Sequence, residues 1–186
     1  MDLVFLPLVT AALAEWGDKT QLLALALAVR FGKPVQIIAG IAVAALASSL
    51  IGGFGGSIIR PLISHEASLL MLALAFLFAG FGGFMPFRER APGLSLGAFV
   101  TSMLAFFALE IGDKTQFLAL GFAAVNGAWI VTACAAAAGI VLTCGVAVVM
   151  GEALRERLPL RLIRRVIAGL FLLAGFVIAI IALGLV

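Results

Sequence analysis

The chain has 186 residues, 65% of them hydrophobic and only 11% charged, with a formal net charge of +3. Soluble domains are about 45–50% apolar and about 25% charged, so this composition excludes an ordinary soluble domain and defines an all-α integral membrane protein. The twelve basic residues flank or interrupt apolar segments and form no separate basic region, so a nucleic-acid partner has no support and the lipid bilayer is the expected surroundings.

Six apolar spans follow in chain order, over approximately 3–29, 34–59, 67–87, 95–124, 127–151 and 162–186. Each reaches the length of about 20 residues needed to cross a hydrocarbon core as a helix. Pro34 and Pro159 precede the second and sixth spans, Pro61 and Pro86 close the second and third, and Pro92 lies in the central connection. Proline is tolerated at helix ends because the first turn needs no N–H there; only Pro7 sits inside a span, near its start. Asp2 stands where a cleavable signal would carry basic residues, and the first apolar stretch is too long for a signal core. The first span is therefore expected to be retained.

Span one carries Glu15-Trp16-Gly17-Asp18-Lys19-Thr20, followed by Gln21, and span four carries Glu110-Ile111-Gly112-Asp113-Lys114-Thr115, followed by Gln116. Ionised groups at the bilayer centre cost on the order of 2.5–3.5 kcal/mol each. Six of them left unpaired would cost roughly 15–20 kcal/mol, more than the net stability of a typical fold. Read as continuous helices at 100° per residue, the two spans place Glu15, Asp18 and Lys19 on one stripe and Glu110, Asp113 and Lys114 on another. Gly17 and Gly112 fall on the opposite side, where they allow close packing or local unwinding. Facing each other, the stripes present four carboxylates and two ammonium groups, an excess of two negative charges that one divalent cation neutralises.

These donors are oxygens alone, which suit hard cations such as Mn²⁺, Ca²⁺ and Mg²⁺ better than Zn²⁺ or copper. Thr20, Gln21, Thr115 and Gln116 are candidates to support the carboxylates, as are Ser48 in span two and Thr143 in span five. The alternative for the two hydroxyls is a bond to their own helix backbone. The same carboxylates can hold protons, which an entering metal displaces. Lys19 and Lys114 are expected to pair with Glu15 and Glu110 at i+4, or to cross to the opposite motif, when no metal is bound. Cys134 and Cys144 both fall in span five, ten residues apart, and read as small packing residues.

The sequence matches itself at an offset of 95 residues. Beyond the two motifs, Phe76-Leu77-Phe78-Ala79-Gly80-Phe81 meets Phe171-Leu172-Leu173-Ala174-Gly175-Phe176, Gly56 and Arg60 meet Gly151 and Arg155, and Ser48 meets Thr143. The expected organisation is two fused three-helix units, residues 1–91 and 96–186. Because three is odd, the units enter the membrane from opposite faces, the inverted-repeat plan of many secondary transporters with midplane sites. Numbered by alternation, Arg30, Lys33, Arg88, Arg90, Arg155, Arg157, Arg161, Arg164 and Arg165 fall on one face, and Arg60 alone on the other. Positive charge marks the cytoplasmic face, so both termini are expected to be extracytoplasmic.

The doubled Glu-x-Gly-Asp-Lys/Arg-Thr/Ser motif in a six-span chain resembles the Golgi and bacterial manganese/calcium transporter family, grouped with the calcium/cation antiporters of the second type. The resemblance covers the whole chain, and both motifs match at every defined position. It implies movement of Mn²⁺ or Ca²⁺ out of the cytosol in exchange for protons, with Glu15, Asp18, Glu110 and Asp113 as metal-binding carboxylates. The short central loop around Arg88-Glu89-Arg90 fits a compact bacterial member in the plasma membrane. No prosthetic group is required, the transported metal and protons are the partners, and oligomerisation is left open. Three other readings stay open: a divalent-cation channel, a small-molecule exporter on a related helix plan, and an intramembrane enzyme. The enzyme reading is disfavoured, because the single histidine, His65, lies in a loop and no extramembrane domain is present.

Overall fold

The computed structural model describes residues 2–85, 93 and 96–185. The central loop containing Pro86, Arg88, Glu89, Arg90 and Pro92 lies outside the described residues, and the orientation argument from Arg88 and Arg90 with it. Among the described residues the chain is helical and without strands: α1 Asp2–Glu15, α2 Lys19–Phe31, α3 Pro34–Ile59, α4 His65–Phe84, α5 Ala98–Glu110, α6 Lys114–Asn126, α7 Trp129–Met150, α8 Glu152–Arg157 and α9 Leu160–Ala182. A 3₁₀ turn over Arg60–Leu62 extends α3. Among the described residues four helical segments are long and apolar enough to cross a membrane: Pro34–Leu62, His65–Phe84, Trp129–Met150 and Leu160–Ala182.

The expectation of two further continuous spans, over 3–29 and 95–124, is corrected here. Each is broken at its acidic motif, into α1 and α2 and into α5 and α6. The cause is local. Gly17 and Gly112 have φ of 70° and 74°, a left-handed conformation that cannot continue a right-handed helix. After each break the chain restarts on an extended aspartate, Asp18 or Asp113, in the N-cap position. Glu15 and Asp18 therefore do not share one helical stripe, nor do Glu110 and Asp113. Each glutamate ends one helix and each aspartate begins the next.

Packing follows the chemistry of a lipid-solvated bundle. Large apolar side chains such as Phe5, Phe54, Phe81 and Leu173 are exposed on the outside, whereas many alanines and the polar motif residues are buried inside, among a smaller number of large side chains such as Phe106 and Ile140. Lipid gives no hydrophobic drive for helix association, so close contact between small residues must supply it. In α3, a Cβ built on Gly52 would come 2.5 Å from the Gln116 carbonyl oxygen, and one on Gly53 would come 2.9 Å from that of Trp129. Only glycine lets α3 lie this close to α6 and α7. Helices α4 and α9 cross through a reciprocal contact: Gly80 faces Leu172 and the Ala168 carbonyl, and Gly175 faces Leu77 and the Ala73 carbonyl. These partners are related by the 95-residue offset, residue for residue. Phe76 stacks edge-on against Phe171 and Phe122, with ring centroids 5.4 and 5.9 Å apart, tying α4 to α9 and α6. Helix α1 lies along α7, and α5 along α3, so the two breaks meet inside the bundle.

Candidate metal centre on two broken helices

Each break is held open by the same local bonds. The Gly17 N–H donates to Gln21 Oε1 at 2.8 Å, and the Gly112 N–H donates to Gln116 Oε1 at 2.7 Å. Each glutamine amide then reaches across the bundle, Gln21 Nε2 to the Thr143 carbonyl at 3.4 Å and Gln116 Nε2 to the Ser48 carbonyl at 3.2 Å. Backbone groups freed by a break in a buried helix must find partners, and these two glutamines supply them. The expected supporting role of Gln21 and Gln116 thus takes the form of holding the turns. Ser48 and Thr143 do not bond their own helices: Ser48 Oγ donates to the Glu110 carbonyl at 3.2 Å and Thr143 Oγ1 to the Ala12 carbonyl at 2.9 Å. Both hydroxyls fasten broken helices to α3 and α7 and leave the carboxylates untouched.

An N-cap aspartate normally accepts a bond from a backbone N–H of the first turn. Asp18 and Asp113 occupy N-cap positions yet make no side-chain cap bond. Their carboxylates turn instead into the space between the two motifs. One oxygen each from Glu15, Asp18 and Asp113 lies within 4.8 Å of the others. Two oxygens on opposite sides of a calcium-sized ion are separated by roughly 4.6–5.2 Å, twice the metal–oxygen distance, so this spacing fits a hard cation held among them. Glu110 stands outside this group. It is fully buried, its Oε2 accepts from Thr115 Oγ1 at 2.9 Å, and its Oε1 has no hydrogen-bond partner. Glu15 is the counterpart: Oε2 accepts from Thr20 Oγ1, and Oε1 has no hydrogen-bond partner. A buried carboxylate oxygen without a donor is costly, and a proton or a cation removes that cost.

The lysines cross between motifs, and the i+4 pairing within one motif is not formed. The reason is again the break, since Lys19 and Lys114 begin new helices and no longer sit one turn below their glutamates. Lys114 enters the carboxylate group. Its ammonium contacts Asp18, lies 3.3 Å from Asp113 Oδ2 and 3.6 Å from Glu15 Oε1, and is buried. Among the described residues Lys19 reaches only Asp113, at 2.9 Å, from a side chain that is 33% exposed. Equal sequences have therefore taken unequal places.

One residue of this cluster was counted in the sequence only as a topology charge. Arg164, near the start of α9, lies with Nη2 3.6 Å from Asp18 Oδ1 and donates to the Gly82 and Met85 carbonyls at 2.8 and 3.1 Å. A signal was present: at the 95-residue offset Arg164 corresponds to Leu69, a departure from the repeat.

Acid and ammonium groups gathered between the ends of broken helices, inside an apolar bundle, define a membrane transport protein for cations. The chain belongs to the divalent cation/proton antiporter GDT1 family, whose profile matches residues 3–91 and 98–184. It is 36% identical over 186 aligned residues to a protein of Vibrio cholerae serotype O1 (strain ATCC 39541 / Classical Ogawa 395 / O395) named "Putative manganese exporter", covering 96% of this chain and 91% of that protein. No solved structure matches it.

Proposed function

We propose that this chain exports Mn²⁺, with Ca²⁺ as the competing substrate, from the cytosol in exchange for protons. Glu15, Asp18, Glu110 and Asp113 are its metal and proton carriers. The observation that carries the reading is the convergence of carboxylates from both motifs on one buried ammonium group. Lys114 neutralises Glu15, Asp18 and Asp113 in the absence of metal. An arriving divalent cation displaces that ammonium, and the two donor-free glutamate oxygens, Glu15 Oε1 and Glu110 Oε1, are placed to give up or take protons as it comes and goes.

The chain reads as two inverted three-helix repeats, 1–91 and 96–186. The paired glycine breaks, the paired glutamine bridges and the reciprocal α4–α9 contact, each related by the same offset, support this plan. Oriented by its positive charge, the start of α9 faces the cytoplasm and both termini lie outside, in a bacterial plasma membrane. The test is Mn²⁺, Ca²⁺ and Mg²⁺ uptake into proteoliposomes holding the full chain, with and without an imposed pH gradient. Exchange predicts Mn²⁺ flux that follows the gradient and reverses with it; flux indifferent to the gradient would mean a channel.

The unequal lysines make a second expectation. Lys114→Met strips the carboxylate group of its buried counter-ion and should cost about 3–5 kcal/mol of metal-free stability, as for other broken buried ion pairs. Lys19→Met removes a partly exposed pair and should cost about 1 kcal/mol or less. Thermal unfolding in detergent, with and without Mn²⁺, reads the difference. Mn²⁺ should restore the Lys114→Met protein by taking the place of the ammonium. Equal losses in the two variants would show that the site does not treat the lysines differently.

A further inference from the structure

We propose that Arg164 is a one-sided gate: it latches α9 to the end of α4 and to Asp18, and so closes the site toward the face where α9 begins, with no matching latch at the second motif. The inference rests on the transport reading above. On the closed side, Gly17 is buried against α9, where an added Cβ would stand 2.5 Å from the Leu160 carbonyl and 3.0 Å from Arg164 Cβ. Gly83 of α4 lies against Ala168 of α9. The guanidinium spans the seam, bonding two carbonyls of α4 and facing Asp18. Beneath it a small crevice lined by Ala14, Trp16, Asp18, Ala79 and Lys114 leads toward the carboxylates.

The second motif has no such latch. Gly112 is exposed, with nothing within 4 Å of where a Cβ would be. The second copy is packed elsewhere: a Cβ built on Gly121 of α6 would stand 3.0 Å from Leu72 of α4, whereas among the described residues α2 makes no comparable contact with α9. The position matching Arg164 is Leu69, which cannot form a charged latch. Symmetric motifs thus sit in an asymmetric bundle: α9 covers Gly17 beside Asp18, whereas Gly112 beside Asp113 is exposed, although both aspartate side chains are largely buried.

Charge links the latch to the cargo. With Lys19, Lys114 and Arg164 engaged, four carboxylates face three positive charges, too few uncompensated charges to neutralise a divalent cation. Release of Arg164 from Asp18 returns the excess of two negative charges, so opening of this face and metal binding from it favour each other.

The test uses single-cysteine reporters in a Cys134→Ser, Cys144→Ala background, reconstituted in vesicles with either face outward. Ala79→Cys lies in the crevice, and Ala44→Cys is buried in α3 away from α9. A membrane-impermeant thiol reagent added at the face where α9 begins should label Ala79→Cys slowly. Adding Arg164→Gln should speed this by roughly tenfold or more, the factor for losing a charge-assisted hydrogen bond. Arg164→Lys, which keeps the charge but cannot span the carbonyls and Asp18 together, should label at an intermediate rate, and it serves if the glutamine variant fails to fold. Ala44→Cys should stay protected throughout. Unchanged labelling of Ala79→Cys in both arginine variants would overturn the gate, and so would exposure of Ala44→Cys, which would mean general loosening. Loss of Mn²⁺ flux in the reporter-free parent would count against the transport reading alone, because the labelling rates do not depend on it.

Discussion

On the proposed function, replacing Glu15 or Glu110 by glutamine is expected to reduce Mn²⁺ transport by roughly 100-fold while the protein still inserts and folds, the upper end of the losses that follow removal of a metal site's supporting groups. Glutamine keeps the size and one acceptor oxygen, so the bond from Thr20 or Thr115 survives. What is lost is the charge and the capacity to carry a proton. Folding should tolerate either change. Lys114 retains Asp18 and Asp113 when Glu15 is neutral, and among the described residues its ion pairs are with Glu15, Asp18 and Asp113, not with Glu110. The two variants should also differ in kind. Glu15 belongs to the three-carboxylate group and Glu110 does not, so Glu15→Gln should weaken metal binding directly. Glu110→Gln should act mainly on the exchange for protons. Calorimetric Mn²⁺ binding to each variant, set beside proteoliposome flux, separates these effects. Near-normal transport by the double variant would leave the motifs as a salt-bridge network that only holds helices together.

The second large effect is a contrast between two glycines that the sequence presents as equals. Gly17→Ala should severely destabilise the protein, and Gly112→Ala should cost only about 1–2 kcal/mol, the penalty for an L-residue in the left-handed region. Both have positive φ, 70° and 74°, so both pay that penalty. Gly17 pays a further one, because its Cβ would stand 2.5 Å from the Leu160 carbonyl oxygen, and a backbone atom in a packed helix cannot swing aside. The new methyl at Gly112 meets open space. Thermal unfolding of the two variants in detergent is the measurement, and indistinguishable midpoints would mean that α9 does not cover the first motif. If the bundle alternates between two forms, Gly112→Ala should also slow transport more than its small stability cost suggests, since the second motif must then be covered in turn.

Membrane residence, the doubled motif and the family were legible in the sequence, because each depends on residue type and spacing alone. An acidic pair and a lysine within 20 apolar residues have few fates other than mutual pairing or function, and a 95-residue self-match needs no coordinates to be seen. The helix breaks were only half legible. Gly17 and Gly112 permit either close packing or unwinding, and the choice was made by Gln21 and Gln116, whose side chains satisfy the turn and whose amides find carbonyls on another helix. A pattern read at 100° per residue could not anticipate this, since it assumes the helix whose continuity was in question.

What the sequence determined by itself is the inventory: a chain that must live in lipid, with two carboxylates and one lysine placed twice over by the same motif. What only the tertiary structure decided is how that inventory is divided. It put Lys114 among three carboxylates and left Lys19 with one, set Glu110 apart from Glu15, and turned Arg164 from the membrane surface onto Asp18. The physical reason is that a repeated sequence fixes equal local preferences but not equal neighbours. Two copies that share one interior compete for it, and a buried cation can occupy only one place among the carboxylates. Packing of α9 over the first motif and of α6 on α4 settled which copy took it.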